Sequence, residues 1–413
     1  NFPDAQIRQI ATQYDSNKDQ ILDTSEQKKL TELIVIETTE NTGVQGNVIR
    51  TAKGITSFKG VEYFAELKSI SVGRSGKPQS SYKIASDLFQ YTKQVKTIRV
   101  NYAYADPVDA RYKDSDKQML AKNTSIVIDD SMQCESLSLE GVQVQKMQIV
   151  SKKMKKLLIK TCNLPDEYTI NTPNLQTLGL KETYVKKLQY GKMDKLKYLS
   201  LGLNVIQNGK EKASPVTVLD LQKSKNIAEL SVTGCRINKL DLSPTNKTLR
   251  LASVTQSGKY PIKQVRLGKM AALKGLSVSA KCAAIDASKC SRLNTLECAS
   301  YGIFKVKLPK SVQYLTLTSL DKKGCKSLKL SNCKKLKALK VIGCKKLKTI
   351  NLAKCSKLYS LKLKVLDLSR LTKVKHAKTT LKKAFLKNKN VKKVVISKKL
   401  SKHDKVWLQK KIS

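Results

Sequence analysis

The apolar residues of this chain recur in one frame: apolar, two others, apolar, one other, apolar. The frame starts at Cys134 (with Leu137 and Leu139), Met154 (Leu157, Ile159), Leu175 (Leu178, Leu180) and Leu196 (Leu199, Leu201), at steps of 20, 21 and 21 residues. It returns at Ile227, Leu273, Leu293, Val312, Leu336 and Leu358, with weaker copies at Leu67, Val95 and Val391. Its last two apolar positions alternate with the period of two that strand side chains have. A helix does not fit. Leu336, Leu339, Val341 and Cys344 stand at offsets 0, 3, 5 and 8, and the third lies about 140° round from the first, so no single stripe forms.

A second stroke follows the first by about ten residues: Val144-Met147-Ile149, Val185-Leu188-Tyr190, Ile237-Leu240-Leu242, Ile303-Val306-Leu308 and Leu347-Ile350-Leu352. Near Cys333, Cys344 and Cys355 the two strokes read alike, and the visible period halves to 11 residues. Three residues past the third apolar position stands Cys162, Asn204, Cys235 or Cys344, which completes L-x-x-L-x-L-x-x-N/C, the leucine-rich-repeat signature. The fold expected is an α/β-type solenoid. Its coils of about 20–24 residues place a parallel sheet on the concave side and mostly extended returns on the convex side. The Cys of the ninth position is expected to turn inward and hydrogen-bond the backbone as a small buried residue. Disulfides between stacked coils rank second. A zinc site lacks ligand pairs, because the chain has no Cys-x-x-Cys and its two His, His376 and His403, lie among Lys near the end.

A repeat array needs caps. Phe2, Ile7, Ile10, Ala11 and Tyr14 fall at helical spacing behind Pro3, and a second helix is expected from Thr24-Ser25-Glu26 carrying Leu30 and Leu33. The division predicted is a helical, EF-hand-like N-terminal cap over 1–45 and a solenoid over 46–413, with an irregular insert near 102–123 and a basic C-terminal cap region. Between the two helices, Asp15, Asn17, Asp19, Asp23 and Glu26 occupy positions 1, 3, 5, 9 and 12 of a calcium loop, and Ile21 supplies the carbonyl of position 7. Position 6, normally Gly, is Gln20, which costs roughly 1 kcal/mol in a left-handed turn. Two readings stay open here: a weak calcium site, or a cap that keeps the shape without the ion.

Charge changes the picture of partners. The chain carries 80 Lys and Arg against 32 Asp and Glu, a net +48. Residues 1–150 are balanced at 19 of each sign, so the whole excess follows residue 150. Lys pairs such as Lys334-Lys335 and Lys345-Lys346 form a basic patch that suits an anionic wall polymer or acidic glycan, or serves only solubility. Lys outnumbers Arg and stacking aromatics are few, which argues against specific nucleic-acid reading. No run of 18 apolar residues occurs, so no membrane span is expected. The sequence opens on Asn1-Phe2-Pro3-Asp4 without Met or signal peptide, which suggests that a leader has been removed.

The NFPD start, the lead-in Gly54–Phe64 (GITSFKGVEYF) and INKLDLS over Ile237–Ser243 resemble the internalin-like leucine-rich-repeat proteins of Gram-positive and gut bacteria. That resemblance implies a secreted or surface-attached module, acting in adhesion or binding without catalysis, with its ligand on the concave face. The period-two rule points the residues between the apolar ones outward. They include Tyr198, Ser200, Glu229, Ser231, Thr233, Thr295, Glu297, Tyr314, Thr316 and Thr318. A protein or glycan of a cell surface is the partner this face would take, and the chain is expected to act as a monomer. No G-x-S-x-G, phosphate loop, H-E-x-x-H or Cys/His pairing offers an enzyme. A spacer with no ligand is the remaining reading.

Overall fold

The computed structural model describes residues 2–38, 43–75, 84–102, 121–207, 210–256, 260, 262–281, 284–301, 305–320, 327–330, 332–344, 349–351, 355, 357–358, 360–364 and 393–396. The chain divides into two compact units, Asn1–Val216 and Thr217–Ser413.

In the first unit, α1 (Ala5–Tyr14) buries Ile7, Ile10 and Ala11, the stripe its spacing predicts. Asp4 caps it by accepting from the amides of Gln6 and Ile7, while its other oxygen accepts from the Thr56 amide and hydroxyl. One carboxylate thus joins the opening helix to the lead-in segment. Phe2 stacks edge-on against Tyr63 in the same place. The expected second helix is only one turn, α2 (Thr24–Gln27), closed by a capping box between Asp23 and Glu26. Leu33 lies instead on a strand, Glu32–Glu37. The run ELIVIE is β-branched and alternates half-buried with buried positions, so sheet pairing wins over helix there.

That strand lies between Val48–Thr51 and Ser69–Arg74, parallel to both. Thr97–Asn101, Ser136–Glu140, Lys156–Lys160, Thr177–Lys181 and Tyr198–Gly202 follow, each parallel and in register with the one before. The second unit repeats the plan with Glu229–Thr233, Leu251–Val254, Gly275–Ala280, Thr295–Ser300, Tyr314–Ser319, Ala338–Ile342, Ser360–Lys364 and Lys393–Ile396. Within each unit successive coils stack their apolar positions in columns; Leu178 and Leu199 in the first and Leu230, Leu296, Leu315 and Leu339 in the second are each at most 3% exposed. Burying such a side chain contributes about 1.5–3 kcal/mol, and no coil obtains it without a neighbour.

The return strokes form smaller parallel sheets: Ala121–Ile128, Val142–Val150 and Thr169–Asn171 in the first unit, and pairs such as Lys239–Asp241 with Gln264–Arg266 in the second. The stroke expected at Val185–Tyr190 is not a strand, although Val185 and Tyr190 are buried. The insert expected near 102–123 ends on the strand Ala121–Ile128, and its residues 103–120 lie outside those described. A sheet coil of the second unit also escaped the frame. Leu251–Val254 has Ala252 at the central inward position, where the frame calls for a larger apolar residue.

Candidate functional site

Five coils bend out of their sheet strand through a residue with left-handed backbone, the eighth of the frame. Gly141, Gly234 and Gly343 take it at φ near 70°, and Thr161 and Glu182 take it at φ 50°. The ninth residue then turns in. Cys162 Sγ donates to Lys160 O at 3.1 Å and Cys235 Sγ to Thr233 O at 3.4 Å, and Thr183 fills the same place with its hydroxyl on Lys181 O at 2.8 Å. Burial pushes the Cys134, Cys162 and Cys235 thiols up to about 12. Among the described residues all eight cysteines are buried and none is in a disulfide. They are packing and corner residues.

Because the corners fix the register, the outward positions of the sheet form rows. In the first unit one row runs Lys156, Thr177, Tyr198 and the next Leu158, Gly179, Ser200. In the second unit the rows include Glu229, Leu251, Gly275, Thr295, Tyr314 and then Ser231, Ser253, Ser277, Glu297, Thr316. All ten residues expected to point outward do so: Tyr198, Ser200, Glu297 and Tyr314 are exposed, and Glu229, Ser231, Thr233, Thr295, Thr316 and Thr318 are half-buried. Tyr198 and Tyr314 present 42% and 39% of their surface, large areas for aromatic residues of a regular sheet.

The missed coil adds Leu251, 48% exposed, to the second unit's face. It lies over Gly275, where a Cβ would stand 2.9 Å from Leu251 Cδ2; Leu158 lies over Gly179 in the same way at 2.8 Å. Each glycine gives a leucine room to lie flat on the sheet surface. The signal was present in the sequence as Leu249-x-x-Ala252-x-Val254, but Ala hid it.

The expected calcium loop has the backbone of one. Gln20 adopts φ 69°, and its amide donates to Asp15 Oδ2 at 2.9 Å. Its side chains do not converge on an ion. Glu26 is buried, with Oε1 accepting from Ser16 N at 2.5 Å and Oε2 from Asp23 N at 3.1 Å. Asp19 accepts from the Asn17 amide group and the Ile21 amide. Asp23 accepts from the Ser25 and Glu26 amides, and hydrogen bonding, the Glu26 amide first, lowers its pKa. One oxygen, Asp15 Oδ1, is buried without a hydrogen-bond partner. Among the described residues no three of His, Cys, Asp and Glu gather as a metal site.

Of the basic patch, Lys334 and Lys335 are exposed on the turn before Ala338–Ile342. Lys345 and Lys346 lie outside the described residues. No helix among the described residues is long and apolar enough to cross a membrane.

No family model matches this sequence, and no curated protein matches it. Solved structures do. One is a functional domain of InlJ from Listeria monocytogenes that includes a cysteine ladder, at 14% identity and a TM-score of 0.41 over 83% of this chain and 61% of that one. The chain thus spans about three fifths of that domain's length. Another is a leucine-rich-repeat protein of Leptospira interrogans, at 13% identity and a TM-score of 0.33 over 70% of this chain and 88% of that one. The stacked L-x-x-L-x-L coils, their inward ninth residue and their parallel sheets make the class a leucine-rich-repeat fold on this chain's own geometry.

Proposed function

We propose that this chain is a non-enzymatic binding module that takes a protein or glycan of a cell surface on the outward faces of its parallel sheets. The observation that carries the reading is the pair of exposed tyrosines, Tyr198 on one unit and Tyr314 on the other, each set among small hydroxylated residues. These positions do nothing for the core. Flat, stiff, amphipathic surface of this kind binds at low entropic cost. Adhesion from a secreted or surface-attached protein follows from this reading together with the internalin-like motifs of the sequence. A second reading rests on the +48 charge: electrostatic anchoring to an anionic wall polymer.

The test is binding of the wild type and of Tyr198→Ala, Tyr314→Ala and Glu297→Gln variants to an array of cell-surface glycans and protein ectodomains. A ligand whose binding weakens at least about tenfold in a tyrosine variant supports the sheet-face reading. A ligand indifferent to all three substitutions refutes it.

A further inference from the structure

The second unit carries a cation on the same turn in coil after coil. The turn leads into each sheet strand and is closed in one way: Leu293 N donates to Cys290 O at 3.0 Å, Leu336 N to Cys333 O at 3.1 Å and Leu358 N to Cys355 O at 3.1 Å. Successive turns also bond to one another. Thr248 Oγ1 donates to Lys225 O at 2.9 Å, Ala271 N to Asn246 O at 3.0 Å and Ser311 Oγ to Leu293 O at 2.7 Å. Lys225, Lys247, Lys310 and Lys334 stand two residues before the frame of their coils, and Lys269 and Lys289 four residues before it; all six are exposed. No Asp or Glu occurs among the four residues that precede the frame at 227, 249, 273, 293, 312 or 336. Among the described residues none of the six is in a salt bridge. The pairs Arg266–Asp241 and Lys307–Asp286 lie on the return strands instead.

Strand spacing sets the geometry. Parallel strands about 4.8 Å apart put the six coils that carry these cations along roughly 24 Å, with Lys269 and Lys289 set back by two residues from the other four. Their spacing is below the Debye length of about 8–10 Å, so the fields add along the row instead of being screened one from the next. Stacked like charges repel, and a row of them with no acidic partner is what a linear polyanion neutralises. Each is a Lys, a point charge without the fork that reads base edges, and these turns hold no aromatic residue for a base to stack on.

We propose that this row of lysines is the docking ridge for a linear phosphodiester polymer without bases, a poly(polyol phosphate), lying along the stack of coils. The proposal rests on the anchoring reading above and gives it a place and a ligand class. The ridge lies on the turns, apart from the outward sheet positions, so the two surfaces are separable.

The test uses the full chain and purified poly(glycerol phosphate), titrated between about 50 and 200 mM salt. A variant with Lys247→Gln, Lys269→Gln, Lys289→Gln and Lys310→Gln is compared with one carrying Lys239→Gln, Lys263→Gln, Lys281→Gln and Lys305→Gln. The ridge variant is expected to bind at least about tenfold more weakly and to lose about 3 from the slope of log K against log salt, at roughly 0.7–0.9 per contact. Equal loss in both variants would show that net charge acts without a ridge, and overturns the proposal. So does absence of binding to the polymer. Tighter binding to a single-stranded nucleic acid or a sulfated glycan overturns the ligand class. Loss of polymer binding in Tyr314→Ala would return the polymer to the sheet face and leave the ridge without a role.

Discussion

Glu37 closes the first sheet strand and is 2% exposed. Tyr102 donates its hydroxyl to Oε1 at 2.7 Å, and Oε2 is buried without a hydrogen-bond partner. Gly54, at φ 74°, leaves just enough room, since a Cβ there would stand 2.9 Å from Oε1. Arg74 faces Glu37 in register from one neighbouring strand and the uncharged Thr51 from the other. Burial outweighs the Tyr102 bond and the Arg74 charge, and raises the carboxyl from 4.5 to about 7. The sign follows from proton counting. Between 4.5 and 7 the folded state holds a proton that the unfolded state has lost, so stability falls as pH rises through that window. The contribution is complete below about 4.5 and gone above about 7 to 8. A shift of that size corresponds to about 3 kcal/mol. Glu37→Gln keeps the acceptor for Tyr102 and removes the titration. Urea unfolding of both proteins at pH 5 and pH 8 measures the effect. The wild type should lose about 2–3 kcal/mol relative to Glu37→Gln between the two conditions, and identical pH profiles would refute the reasoning. Taking the difference cancels other titrating groups.

Other predictions concern corners, thiols and the loop. Thr161 is β-branched at φ 50°, so Thr161→Gly should raise stability by about 0.5–1 kcal/mol despite losing its bond to Glu182; a loss of stability would mean that the corner is not strained. The described cysteines should resist Ellman's reagent in the native state at pH 8 and react on unfolding, and fast native reaction would contradict their burial. Because Glu26 already accepts from two backbone amides, neither calcium nor a chelator should move the melting temperature. A rise of several degrees with calcium would show that Glu26 turns from those amides to the ion.

The inward frame was legible because stacking demands large apolar residues at fixed steps, and the outward rows followed from it by period two. Where the frame weakened, legibility failed for identifiable reasons. Ala252 hid a coil, and with it the exposed Leu251. The ELIVIE strand was absorbed into an expected helix because Leu30 and Leu33 are also at helical spacing. Glu37 gave no sign at all, since its partners Tyr102, Arg74 and Gly54 come together only through the stacking of three strands and a lead-in loop. The lysine ridge was visible only as composition until the turns were placed on one another.

The most direct test of the sheet-face claim is array binding repeated in about 1 M sodium chloride, where the Debye length falls to roughly 3 Å and the lysines are silenced. The account predicts that a ligand remains bound to the wild type and is lost by Tyr198→Ala or Tyr314→Ala. Binding that vanishes with salt in every variant would contradict it and leave electrostatic docking as the sole activity.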